Sequence, residues 1–187
     1  GVPVGGKNPI RIQTMTDTYS LDTEATVDQI IRAIKAGADY VRVTVKGTPE
    51  ADNLKNIKRD LVARGYNTPL IGDIHFNPRL AEIAAQTISK VRINPGNFYD
   101  KRAQFKSKVY SDDEYKQELL KIEEQFITFL KVLKETNTAL RIGANHGSLS
   151  DRVMSRYGDT PTGIAESVLE FLRICKKVDY NNVVISI

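Results

Sequence analysis

The sequence predicts an α/β fold of the (β/α)8 TIM-barrel type, truncated after about six strands. Three observations carry that prediction. Short apolar strands alternate with helical stretches six times in 187 residues, and strands apolar enough for burial on both faces belong to parallel sheets. At least five strands end in polar residues, which suits a barrel whose site draws on many strand ends at one face. The competing architecture, an open dinucleotide-binding sheet, lacks its Gly-x-Gly-x-x-Gly fingerprint after strand one, where the chain reads Gln13-Thr14-Met15-Thr16-Asp17.

The elements follow in order. Residues 1–9 are rich in Gly and Pro and form a lead-in loop. Residues 10–15 alternate in the strand manner, so Gln13 and Met15 share a face. Asp22 or Thr23 can cap the next helix, whose Val27, Ile30, Ile31 and Ile34 fall at helical spacing and which Gly37 ends. Residues 39–45 form strand two, and a helix over about 50–64 carries Leu54, Ile57, Leu61 and Val62 on one face. Strand three spans 69–75. Pro78 opens a short helix, and strand four, 89–94, stops at Pro95-Gly96. From Asn97 to about Ser111 the chain is basic and irregular, longer than most connections. Asp112, Asp113 and Glu114 then start a long helix to about Thr136, where negative charge suits the helix dipole. Strand five is 138–143, a short helix covers 149–157, another runs from about Thr162 to Lys177, and strand six is 182–187.

Composition narrows the function classes. The chain has 41% hydrophobic and 27% charged residues, with 27 basic against 23 acidic side chains and a net charge of +4. That balance favours small anions and gives little support to nucleic acid as a partner. No apolar run approaches the ~20 residues that span a bilayer, so no membrane partner is expected. A single cysteine, Cys175, excludes an internal disulfide framework or a cysteine-rich metal site built by these residues alone, and points to a reducing compartment, the cytoplasm. On its helix Cys175 reads as a small buried apolar residue.

Three arginines set the chemistry. Arg42, Arg92 and Arg141 each sit between apolar residues near the end of a strand. Arg42 shares a face with Thr44, and Arg92 with Asn94, while Val41, Val43, Val91 and Ile93 face the helices. In a barrel this aims all three guanidinium groups into the lumen or its mouth. An unpaired buried charge costs several kcal/mol, so an acid must lie close. Asp73 is the carboxylate at a comparable strand end; it can pair with one arginine and leave the others for a ligand. A doubly phosphorylated compound meets that need, because guanidinium groups bind phosphate oxygens in pairs. Taken alone, one strand arginine is more often a structural ion pair in a barrel core or end layer; three at matching positions favour a ligand.

Asp73 and His75 lie on one side of strand three and can handle protons or orient a hydroxyl, or can be a hydrogen-bonded pair that ends the strand. Asn94 and Asn145 suit substrate hydroxyls or phosphates, although both stand in ordinary turn contexts. Gln13 and Met15 are weaker candidates for substrate contact, and Met15 by itself reads as core. With only two histidines and no cysteine beside them, no zinc site is expected.

Five stretches resemble the barrel portion of the 4-hydroxy-3-methylbut-2-enyl diphosphate synthase family. They are Gln13-Thr14-Met15-Thr16, Val41-Arg42-Val43-Thr44, Gly72-Asp73-Ile74-His75-Phe76, Arg92-Ile93-Asn94-Pro95-Gly96-Asn97, and Arg141-Ile142-Gly143-Ala144-Asn145-His146-Gly147-Ser148-Leu149. They keep the family's order across almost the whole chain. Residues 100–105 and 150–159 are similar to the longer, three-domain form. The resemblance implies an enzyme that reductively opens 2-C-methyl-D-erythritol 2,4-cyclodiphosphate in isoprenoid biosynthesis, with a 4Fe-4S cluster and ferredoxin or flavodoxin as electron donor. It implies that Arg42, Arg92 and Arg141 hold the diphosphate and that Asp73, His75, Asn94 and Asn145 contact or orient the rest of the substrate. Residues 1–187 are then expected to be a partial, substrate-binding barrel, without the insert domain or the C-terminal cluster domain, and inactive alone. Exposed edge strands would favour a homo-oligomer. Two other readings stay open: a pterin- or phosphosugar-type barrel enzyme using Asp73 and His75, and a non-catalytic phosphoanion-binding module.

Overall fold

The computed structural model describes residues 2–74, 77–100 and 109–187. Six parallel strands run in sequence order through one sheet: β1 (Gln13–Met15), β2 (Tyr40–Val45), β3 (Leu70–Ile74), β4 (Lys90–Ile93), β5 (Ala139–Gly143) and β6 (Val183–Ser186). Each strand pairs in parallel with the next, so every connection is a crossover that must pass over one face. The crossovers are α1 (Thr23–Lys35), α2 (Thr48–Ala63), α3 (Pro78–Ala85), the single turn α4 (Pro95–Phe98) with α5 (Asp112–Glu135), and α6 (Asp151–Tyr157) with α7 (Pro161–Lys177).

Alternation along the strands divides the molecule into two zones. Val41, Val43, Val45, Val91, Ile93, Leu140 and Ile142 point outward and are buried beneath Val27 and Ile30 of α1, Leu54, Ile57 and Leu61 of α2, and the matching apolar faces of α3, α5 and α7. Phe126 of α5 packs edge-on against Phe171 of α7 with ring centroids 4.8 Å apart, and tilts toward Phe129 at 6.1 Å. The opposite strand face carries Gln13, Met15, Arg42, Thr44, Asp73, Lys90, Arg92 and Arg141, which is the polar interior of a curled sheet.

Local chemistry explains where the elements begin and end. Asp22 caps α1 by accepting the Ala25 amide at 3.0 Å, and Ser111 with Glu114 forms a reciprocal capping box on α5. Four of the five turns that return the chain from helix to strand pass through left-handed residues: Gly37, Gly65, Asn137 (φ 52°) and Asp179 (φ 52°). Asparagine and aspartate tolerate that region, so the last two turns do without glycine.

Three sequence expectations are corrected. Strand one was expected over residues 10–15, but only Gln13–Met15 is strand, and Ile10 and Ile12 are exposed. The Asp39 carboxylate accepts the Ile12 amide at 2.8 Å while Ile12 returns its carbonyl to the Asp39 amide, so a side chain ends the ladder there. Asn97 and Phe98 were expected in an irregular stretch. Instead they belong to α4, which Asn94 starts by accepting the Gly96 amide, and both are buried. Met15 is not core: it is about two-fifths exposed, on the edge strand. The basic residues 101–108 and His75 lie outside the described residues. No helix among the described residues is long and apolar enough to cross a membrane.

Candidate functional site

The strand register brings the polar residues into one row. Thr44, Asp73, Arg92 and Arg141 are successive partners across β2, β3, β4 and β5, and Arg42 lies two residues before Thr44 on the same face. The row sits at the C-terminal ends of the strands, where barrel folds place their chemistry.

Asp73 is buried between two of the arginines. Arg92 Nη1 donates to Asp73 Oδ1 at 3.1 Å, and Arg42 Nε lies 3.5 Å from Oδ2. The sequence expectation of one arginine on Asp73 is thus corrected to two. Arg92, buried, spends its Nη2 on the Gly143 carbonyl at 3.0 Å. Arg42 also directs Nε and Nη2 at the Met15 sulfur, 3.3 and 3.2 Å away, a weak and neutral acceptor. Arg141 has neutral partners: Nε donates to Ser186 Oγ and Nη1 to Gln13 Oε1, both at 2.9 Å. Burial and repulsion from Arg42 and Arg92 lower the Arg141 pKa, and Asp73 offsets that only in part. The cluster therefore carries an excess of positive charge held in a fixed geometry.

Above the arginines, the loop after β5 forms a wall. Residues 146–148 make a 3-10 turn, and Asn145 before it keeps its side chain out of the backbone capping bond. Asn94 Nδ2 donates to Ser148 Oγ at 2.7 Å, joining the β4 and β5 loops. Gly96 permits this closeness, since a Cβ there would penetrate the Ser148 carbonyl oxygen. Gly143 has a like role: a Cβ would stand 2.6 Å from Arg92 Nε and 3.2 Å from Ser186 Oγ. Arg42, Arg92, Arg141, Gly143, Ala144, Asn145, Ser186 and Ile187 line a cavity of about 240 Å³. A larger one, about 680 Å³, opens at the other end of the strands around Tyr40 and Lys90, away from the arginine cluster.

The structure thus gathers Gln13, Met15, Arg42, Asp73, Arg92 and Arg141 on one strand face in two bonded sets, Met15–Arg42–Asp73–Arg92 and Gln13–Arg141, with Asn94 and Asn145 on the adjoining wall. Sequence reasoning places Ser148 on the loop wall with Asn145 and misses Gly143 and Ser186. Gly143 had a usable signal, because it stands two residues after Arg141 on the same strand face, whereas Ser186 joins that face only through the register between β5 and β6.

All of residues 1–187 match the family model of the GcpE TIM-barrel domain. The chain belongs to the GcpE barrel family. Its GcpE barrel is 58% identical over 185 residues to the 4-hydroxy-3-methylbut-2-en-1-yl diphosphate synthase (flavodoxin) of Phocaeicola vulgatus, covering 99% of this chain and 30% of that protein. It is 54% identical to the flavodoxin-type protein of Protochlamydia amoebophila, covering 28% of it. It is 51% identical to the chloroplastic protein of the same name, ferredoxin type, from Oryza sativa subsp. japonica, covering 25% of it. The chain therefore spans less than a third of the length of these curated relatives. Within that share the GcpE barrel supplies the strand-end cluster described above.

Proposed function

We propose that the strand-end cluster binds the diphosphate of 2-C-methyl-D-erythritol 2,4-cyclodiphosphate, and that the protein carrying this barrel opens that ring reductively to 4-hydroxy-3-methylbut-2-enyl diphosphate in isoprenoid biosynthesis. The observation that carries the reading is three arginines from three strands converging around one buried carboxylate, with Arg141 hydrogen-bonded, among the described residues, to the neutral Ser186 and Gln13. Phosphate oxygens can replace the Gln13 amide oxygen and the Met15 sulfur as acceptors and form stronger, charge-assisted bonds. The names and 51–58% identities of the relatives support the same reading.

In the overall reaction two electrons and two protons enter, a ring carbon–oxygen bond to phosphate opens, and one hydroxyl leaves as water. The part assigned to this chain is binding and orientation. Arg42, Arg92 and Arg141 hold the diphosphate, and Asn94 and Asn145 bond substrate oxygens from the wall. Asp73, engaged by two guanidinium groups, sets the arginines in place, which counts against the alternative of an acid/base barrel enzyme centred on it. His75 keeps the role the resemblance implies for it, contacting or orienting the substrate, and its residue type suits it to carry a proton.

The 4Fe-4S cluster that the resemblance implies does not fit this chain. Thiolates hold such clusters, and Cys175 is the single cysteine, buried on α7 with its thiol pushed up to about 12 by that burial. Among the described residues no three His, Cys, Asp or Glu side chains group to hold a metal ion. In this reading the cluster, and the contact with a flavodoxin- or ferredoxin-type donor, belong to residues outside these 187, and the cytoplasm is the compartment. The 187-residue chain alone also exposes the edges of β1 and β6, and pairing across them is the route to a homo-oligomer, checked by sedimentation.

The deciding experiment is calorimetric titration of the 187-residue chain with inorganic pyrophosphate, beside an assay of reductive ring opening. Pyrophosphate binding that Arg141→Ala weakens about tenfold or more, with no turnover by the chain alone, is expected. Binding unaffected by changes at Arg42, Arg92 and Arg141 would sink the reading.

A further inference from the structure

The loop that carries Asn145 is anchored by a buried ion cluster that plays no part in holding the substrate in the reading above. After Asn145 the chain makes its 3-10 turn, buries Leu149 and Ser150, and enters α6. There Arg152, 2% exposed, lies between two carboxylates. Its Nη1 and Nη2 donate to Glu170 Oε1 and Oε2 of α7, both at 2.8 Å, and Nη2 donates as well to Asp100 Oδ2 at 2.9 Å. Asp100 stands two residues past the end of α4, and Ser150 also bonds it. Tyr115 of α5 lies against the guanidinium, 4.5 Å from its ring centroid, and donates its hydroxyl to Glu170. Helices α5, α6 and α7 and the segment after α4 thus meet at one side chain.

Stability alone is a poor account of this cluster. Burying one cation with two anions is seldom better than apolar packing of the same volume, and here Arg152 Nε is buried without a partner. What the cluster supplies is position. Segment 94–100 and segment 145–152 are joined at one end by the Asn94–Ser148 bond and the close Gly96–Ser148 approach, and at the other by Arg152 on Asp100. Gly163 of α7 completes the fit, because a Cβ there would run into the Gly158 carbonyl and lie 3.5 Å from the Leu149 side chain. Loop, α6 and α7 are thus tied together by packing and bonds, with Arg152 at the centre.

We infer that Arg152 is a positioning residue of the anion site: its bonds to Asp100 and Glu170 set where Asn145 and the Asn94–Ser148 pair stand relative to Arg92 and Arg141. The inference rests on reading the strand-end cluster as a diphosphate site.

The test uses the full chain with Arg152→Met, Asp100→Asn and Glu170→Gln combined, which removes all three charges together and nearly keeps their volumes, and Arg152→Lys alone, which keeps the charge but not the fork. Three quantities are read: the thermal midpoint, the nitrogen-15 side-chain amide resonances of Asn94 and Asn145, and the Kd for inorganic pyrophosphate at fixed salt. The expected result is a folded triple variant in which both amide resonances shift, pyrophosphate affinity falls about tenfold, and Arg152→Lys lies between. A folded triple variant with unmoved resonances, or with affinity within twofold of the parent, overturns the inference. Should the triple variant not fold, Asp100→Asn keeps the Arg152–Glu170 pair and must still shift the Asn94 resonance; an unmoved resonance overturns the inference equally. If the parent chain does not bind pyrophosphate, the reading of the site fails, while the two amide resonances still decide whether Arg152 places the loop.

Discussion

Arg141 of β5 donates a 2.9 Å hydrogen bond to Gln13 of β1, a residue 128 positions away in sequence and four strands away in the sheet. The bond crosses the interior, so the sheet is curled far enough for its first and fifth strands to share a site. It also shows what kind of partner Arg141 has: an amide oxygen, which a stronger acceptor can displace.

The two arginines on β4 and β5 should therefore respond differently to removal. Arg92→Ala removes one of the two guanidinium groups described on the buried Asp73 and leaves the Gly143 carbonyl without that donor, and should destabilise the chain by about 3 kcal/mol. Arg141→Ala removes only bonds to neutral groups and should cost under about 1 kcal/mol, yet lose most pyrophosphate affinity. Urea unfolding and calorimetry on both variants separate the two effects; equal losses of stability would contradict the division.

Gly143→Ala tests how closely the cluster is packed. The added methyl would meet Arg92 Nε at 2.6 Å and must push the guanidinium off Asp73, a loss of about 1–3 kcal/mol with weaker anion binding. Thermal unfolding of the variant reads the first effect, and pyrophosphate titration the second.

Gln13→Glu would give Arg141 a charged partner inside the protein. The carboxylate would compete with the ligand, so pyrophosphate affinity should fall by at least about tenfold while the melting temperature holds or rises. Gln13→Ala should leave affinity close to the parent's. Affinities that move together in the two variants would show that Gln13 does more than occupy Arg141.

Alkaline pH should weaken the fold through buried acids that stay protonated. Burial raises the Cys175 thiol from 9.0 to about 12, and burial also raises the hydroxyls of Tyr99, Tyr115 and Tyr180. A folded-state pKa above the unfolded one gives stability that is whole below the unfolded value and declines as pH rises toward the folded value. For Cys175 the window runs from pH 9.0 to about 12, at a slope near ~1.4 kcal/mol per pH unit. Urea midpoints measured upward from about pH 8 should fall less steeply for Cys175→Ala than for the parent, and the native thiol should resist alkylation at pH 8.

The barrel class was legible in the six-fold alternation of strands and helices with polar strand ends, and the inward aim of Arg42, Arg92 and Arg141 because side-chain alternation is a property of each strand by itself. The same rule placed Val41, Val43, Val91 and Ile93 in the core, where they are. Register between strands is not written in any one of them. Without it the sharing of Asp73 by two arginines, and the meeting of Ser186 with Arg141, could not be read. The Arg152 cluster was hidden for a related reason: Asp100 and Glu170 are 52 and 18 residues from Arg152, at no periodic spacing. The shortening of β1 depended on one carboxylate, Asp39, taking an amide that the alternating pattern had assigned to a strand.

Arg92 is held by Asp73 on one side and the Gly143 carbonyl on the other, bonds that need no anion to form. A free arginine side chain has about 2 kcal/mol of rotamer entropy to lose when it is immobilised. In Arg92 that loss occurs during folding, so an arriving diphosphate meets a guanidinium already still. Association through Arg92 should thus carry a smaller entropic penalty than association through Arg141, whose partners are a hydroxyl and an amide oxygen, and the temperature dependence of binding would separate their contributions.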